Sequence, residues 1–279
     1  MAGGVAGPGA EGVMRRGRTL WLTVMLAATV AAWAQRANGQ DKPALAPVPK
    51  ECLAPAAAVV AGLPLPNIAV ALKERKKITI LAIGGTSASL RGPVSGGHYA
   101  IVERFLESTF KGLDVVVVHR GVSGELASHA AERIRIEVAL TGADLLLWQL
   151  GTADALARVP PAEFHESVSQ TIAWLKRHKI DVVLVGLRYA RSMANDAHYQ
   201  AIRAAIQAVG KEHNVLRIGR YDAEETLARI RAEQGVTISE AEVTEVGYSC
   251  MAEHLARAIA SGLFVTGAPP KAPPGRKEP

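Results

Sequence analysis

The sequence predicts an α/β protein, a single doubly wound domain with a five-stranded parallel sheet between helices. Three observations predict it. Five short apolar runs, residues 78–83, 115–118, 145–150, 182–186 and 215–218, recur along the chain almost unbroken by polar residues. Runs of that kind suit strands covered on both faces, as in a parallel sheet. Amphipathic segments of helical period separate them, and small or turn-forming residues mark the junctions. Alternating strands and helices give right-handed crossovers and a flavodoxin-like layering.

Residues 1–34 read as an export signal. Arg15, Arg16 and Arg18 supply a basic start, residues 20–32 an apolar stretch, and Ala32-Trp33-Ala34 a small-x-small cleavage site. The apolar stretch falls short of the roughly 20 residues that span a bilayer, so no stable membrane span is expected. An uncleaved anchor is the alternative. Residues 35–50, rich in Pro and Ala, form a flexible lead-in to a domain over 51–265. The first strand, 78–83, is followed by helical segments and strands in turn: 99–110, 115–118, 127–140, 145–150, then 162–178. Pro160 and Pro161 suit the start of that last helix. Strand 182–186, helix 197–213, strand 215–218 and helices 222–234 and 244–263 complete the domain. Residues 266–279 are a Pro-rich tail with too little apolar surface to pack.

Charge and composition narrow the function. The formal charge is +6, and residues 1–34 hold three basic residues against one acidic, which leaves +4 for the rest. That excess is spread thinly, with no basic run beyond residues 73–77. Aromatic residues are only 5% of the chain, too few for stacking platforms, so nucleic-acid binding is not expected. The two cysteines, Cys52 and Cys250, both follow the export signal. In an oxidising compartment an even count favours a disulfide, two separate buried thiols being the alternative. A loop that long contributes about 4–5 kcal/mol in the chain-entropy model.

In an open parallel sheet the ligand site lies outside the carboxyl ends of the strands. Three loops there are rich in Gly and hydroxyl groups: residues 84–89 with Gly85, Thr86, Ser87 and Ser89, residues 119–125 with Gly124, and residues 151–154 with Ala153 and Asp154. Such loops can set an oxygen nucleophile beside backbone N–H donors. They can equally cap the helices that follow, and from spacing alone capping is the first reading. No His, Cys and carboxylate cluster has metal-ligand spacing, and no Gly-Lys-Ser/Thr completes a phosphate loop, so no cofactor is expected.

The stretch from Cys52 to about Phe264 resembles the SGNH/GDSL hydrolases, particularly a bacterial exported group. Residues 80–86, Ile-Leu-Ala-Ile-Gly-Gly-Thr, match the first block and residues 118–125, Val-His-Arg-Gly-Val-Ser-Gly-Glu, the second. Residues 147–153, Leu-Trp-Gln-Leu-Gly-Thr-Ala, match the third, and residues 244–252 the helix after the family's Asp-x-x-His. The resemblance implies an SGNH-type fold and a serine nucleophile, a histidine base with its aspartate, and oxyanion donors from Gly and Asn. In this chain Thr86 fills the nucleophile slot, Gly124 the oxyanion slot and Ala153 the Asn slot. The Asp and His slots fall near Ser239 and Glu242, and no Asp-x-x-His exists anywhere in the chain. Loss of one oxyanion donor costs about 10²–10³ in rate and loss of a general base about 10²–10⁴. A carboxylate of ordinary pKa near 4.3 is a poor base toward a hydroxyl.

The expectation is therefore a catalytically degenerate protein of the periplasm or exterior. It would bind a cell-envelope carbohydrate or acylated ligand, or partner an envelope acyltransferase. Gly85, Ser87, Asp154, Arg188 and Tyr189 are the further candidate ligand contacts. The alternative is an active esterase with a rearranged site using Thr86 or Ser87, His98 or His198, and Asp154. The plainer reading makes His98 and His198 surface helix residues and Asp196 a helix cap.

Overall fold

The computed structural model describes residues 63–85, 97–237 and 239–264, together with Gly3 and Cys52. Residues 1–50 (Gly3 apart), where an export signal and a lead-in are expected, residues 265–279, and Thr86, Ser87 and Ser89 lie outside the described residues. All described residues but Gly3 belong to one compact unit, residues 45–279.

Five strands form one parallel sheet: β1 Lys77–Gly84, β2 Asp114–Gly121, β3 Leu145–Gln149, β4 Asp181–Val185 and β5 Leu216–Ile218. Their spatial order is β2-β1-β3-β4-β5. The described helices are α1 Pro66–Arg75, α2 Tyr99–Thr109, α3 Ala127–Thr141, α4 Thr152–Leu156, α5 Pro161–Arg177, α6 Ala197–Glu212, α7 Arg220–Glu233 and α8 Glu240–Phe264. Alternate residues of β1, β3 and β4 divide between two cores, whereas the edge strands β2 and β5 contribute to one of them. Ile78, Ile80 and Ala82 pack under α1, α2 and α8. Leu81, Ile83 and Trp148 pack under α3, α5 and α6. Both faces are covered, which is why the strands read as apolar runs rather than alternating ones. At the edge strand β2, Glu103 and Glu107 of α2 accept the Val117 and Val115 N–H groups, closing an edge that would otherwise pair with another chain.

All five strands and six of the helices fall where the sequence places them, within a few residues. Two helices are additional. Helix α1 has no side-chain cap of its own; Asp181 of β4 accepts the Asn67 and Ile68 N–H groups at 2.9 Å and the Asn67 amide at 2.8 Å. A cap supplied from 114 residues away leaves no local signal. The short α4 begins at Gly151, whose φ of +97 suits glycine and where a Cβ would stand 2.7 Å from Ile206. Helix α8 begins at Glu240, four residues earlier than periodicity indicates. Cys52 and Cys250 form a disulfide with Cα atoms 5.1 Å apart, joining the segment before α1 to α8. Among the described residues no helix is long and apolar enough to cross a membrane.

Candidate functional site

A cleft of about 340 Å³ opens at the carboxyl ends of the strands. Gly84 and Gly85 form its floor at β1, and Ser123 and Gly124 come from the turn after β2. Residues 149–153 enter from β3, and Arg188, Arg220 and Tyr248 close the far side. Gly84 is required where it stands: its φ is +152, and a Cβ would lie 2.7 Å from that of Gln149 on the adjacent strand. Arg188 is held by its main chain, its N–H donating to Thr152 Oγ1 at 3.2 Å and its carbonyl accepting from the Tyr199 hydroxyl at 2.6 Å.

Of the residues singled out in the sequence, Gly85, Gly124, Ala153 and Arg188 line this cleft. Asp154 lies just beneath it, buried; one oxygen accepts the Ala127 N–H at the start of α3, and the other has no hydrogen-bond partner among the described residues. Burial raises its pKa. Tyr189 packs edge-on against Tyr221, and its N–H donates to Glu224. The aromatic residues that line the cleft, among the described residues, are Trp148 and Tyr248. Ser239 and Glu242 lie elsewhere. Both are exposed and bonded to each other: the Ser239 N–H and hydroxyl donate to the Glu242 carboxylate at 2.8 Å, and the Glu242 N–H donates back to Ser239 Oγ. This is a capping box at the start of α8, and it accounts for the early start of that helix. Asp196 caps α6 by accepting the Tyr199 N–H. Thr86 and Ser87 lie outside the described residues, as do any contacts of theirs.

Sequence reasoning did not find the ionic cluster at the far wall. Arg220 and Glu224 are 2% and 0% exposed, with Nε 2.7 Å from Oε1. The guanidinium sits 4.1 Å above the Tyr248 ring and donates through Nη1 to its hydroxyl. The second Glu224 oxygen accepts the Tyr189 N–H at 2.7 Å. Gly247 leaves the room this needs, since a Cβ there would lie 2.6 Å from Glu224 Cγ. The signal was present: a charged residue, Arg220, directly follows the last apolar run and Gly219 at a strand's carboxyl end.

Two histidines adjoin the cleft. His119, half-buried at the end of β2, has its pKa lowered by burial, which a hydrogen bond with the Gly85 backbone opposes. His98 is fully buried rather than on the surface, whereas His198 is half-buried on α6. It precedes the first turn of α2, where periodicity assigns no face, and its ring stacks on Tyr248 at 5.3 Å. Its Nδ1 lies 3.5 Å from Ser249 Oγ. Burial, then the charge of Arg220, lowers its pKa from 6.5 to about 4. An unfolded chain takes up that proton as pH falls through 6.5, and the folded one resists until about 4. The contribution to stability is therefore complete above pH 6.5 and is lost toward pH 4, on the order of 3 kcal/mol. Asp181, raised to about 6 chiefly by burial, acts in the opposite sense over part of that window. His98→Phe, which preserves the stacking, is expected to flatten the acid side of the stability profile. Urea unfolding at pH 7 and pH 4.5 measures this; equal losses in wild type and variant would refute it.

The layering and the strand-end cleft define the class: an SGNH/GDSL-like hydrolase fold. The Non-GDSL lipase-like family model matches residues 51–264, and the chain belongs to that family. No curated protein matches the chain. Among solved structures, one from Parabacteroides merdae described as a GDSL-like lipase is similar at 16% identity and a TM-score of 0.53, covering 66% of this chain and 96% of that one. An alpha/beta hydrolase enzyme from the metagenome of Lake Arreo is similar at 15% identity and a TM-score of 0.53, over 66% and 96% of the two chains. An acetylxylan esterase from Geobacillus stearothermophilus is similar at 17% identity and a TM-score of 0.52, over 65% and 94%. At these identities the likeness is one of fold. Among the described residues no group of three His, Cys, Asp or Glu side chains could hold a metal ion.

Proposed function

We propose that this is an exported, non-hydrolysing member of its fold class, which holds an acylated envelope carbohydrate or a similar acylated ligand in the strand-end cleft. The observation that carries the reading is the closed Ser239–Glu242 capping box. The two positions that resemble the catalytic Asp and His slots are exposed, bonded to each other and outside the cleft lining. Ala153, in the Asn slot, presents a methyl group where an oxyanion donor is needed. The Gly124 backbone remains available to cradle an acyl oxygen. Export through residues 1–34, a periplasmic or secreted location and an envelope acyltransferase as partner belong to the same proposal.

The purified protein is expected to release no nitrophenol from nitrophenyl acetate or butyrate above the buffer rate. A second reading, an active esterase with a rearranged site, draws on buried His98, which follows the segment that contains Thr86 and Ser87. Turnover that disappears in Thr86→Ala or Ser87→Ala would establish that reading and end ours.

A further inference from the structure

The cleft changes character along its length. At the β2 and β3 end the apolar Val122 and Leu156, 45% and 59% exposed, line it with Ala127 and Ala130, beside the polar Ser123 and Thr152. The charged residue at that end, Glu125, is already held by Arg133, which donates to both its oxygens, at 2.8 Å and 2.5 Å. At the β4 and β5 end stand Arg188 and Arg220. Arg220 spends Nε on Glu224 and Nη1 on Tyr248, while its buried Nη2 has no hydrogen-bond partner among the described residues. A buried guanidinium donor left unpaired is unfavourable, and an anionic oxygen is the partner that suits it best. The volume lies at the small end of the roughly 300–1,000 Å³ typical of small-molecule sites.

We infer that the cleft selects an amphiphilic organic anion, its aliphatic chain lying along Val122 and Leu156 and its anionic head against Arg188 and Arg220. This rests on the cleft being a binding site, and it adds a requirement for charge that an acyl ester alone does not meet. The arginines fix the orientation, because Glu125 at the opposite end is already paired with Arg133 and offers an anionic head no donor. A free carboxylate and a phosphate ester share the chemistry the arginines recognise.

Calorimetric titration of the full protein with octanoate, octyl phosphate and octanol tests the inference. Both anions are expected to bind at least tenfold more tightly than octanol, as a charge-assisted hydrogen bond implies. Whichever anion binds more tightly identifies the head group. The Arg188 N–H donates to Thr152 and its carbonyl accepts from Tyr199, two main-chain bonds that Arg188→Gln leaves in place. That variant is expected to lower the anion-to-octanol ratio about tenfold. Leu156→Asn is expected to weaken octanoate more than butyrate. Equal affinity for octanol and the anions, no binding of any of the three at millimolar concentration, or a ratio unmoved by Arg188→Gln would overturn it. Hydrolysis of a nitrophenyl ester would instead end the non-hydrolysing reading and leave the anion-to-alcohol ratio to be judged by itself.

Discussion

Arg220→Met is expected to destabilise the domain by about 3–5 kcal/mol, the range seen when one partner of a buried ion pair is removed. Glu224 is fully buried, and without the guanidinium its carboxylate keeps the Tyr189 N–H as its remaining hydrogen bond. Met has nearly the length of the Arg stem, so the loss reflects the stranded charge and the vacated face of Tyr248 more than lost volume. Arg220→Met combined with Glu224→Gln removes both charges and is expected to recover most of the loss, since buried pairs replaced together are often near neutral. Urea unfolding of the wild type, both single variants and the double completes the cycle. A single-variant loss below about 1 kcal/mol, or a double variant no better than Arg220→Met, would show that the pair does not hold the cleft wall.

Opening the disulfide is expected to have an effect of similar size. Cys52 and Cys250 are 198 residues apart, and closing a loop of that length contributes about 5 kcal/mol in the chain-entropy model. Both cysteines are buried, and Cys250 lies on α8 two residues beyond Tyr248, so the link braces the helix that supplies one wall of the cleft. Cys52→Ser acts through the unfolded state with little change to the core. Cys250→Ala adds a small cavity and is expected to cost slightly more. The urea midpoint with and without reductant measures the effect, and coincident curves would mean that the cross-link contributes nothing.

The sheet was legible because its strands are buried on both faces, so each appears as a run of Val, Ile and Leu between helical segments. The features that escaped are those made by distant residues. Helix α1 depends on Asp181, and His98 is covered by Tyr248 from the far end of the chain. Nothing within a few positions of Pro66 or His98 records either contact. The candidate site was legible in part: Gly85, Gly124, Ala153 and Arg188 occur on strand-end loops, and the topology gathers strand ends in one place. Arg220 was legible only as a charge at a strand's carboxyl end, and its pairing with Glu224 was not, because an i, i+4 pair of opposite charges on a helix reads as a solvated face. Burial alone distinguishes the two, and burial here comes from Tyr248 and Gly247 on α8. Ser239 and Glu242 show the converse, since Ser-x-x-Glu before an apolar stretch is itself a helix-start signature.

The seam between α1 and α8 decides when this protein can become itself. The Leu65 N–H donates to the Gly262 carbonyl, and a Cβ at Gly262 would lie 2.9 Å from the Leu63 carbonyl oxygen. One of the two cores therefore has no lid until the final helix has left the ribosome. Every shorter nascent chain presents the apolar residues of β1 and α1 to whatever surrounds it, and native assembly waits for the last two dozen or so residues of the domain. The core under α1, α2 and α8 is therefore the part of the nascent chain that needs shielding longest.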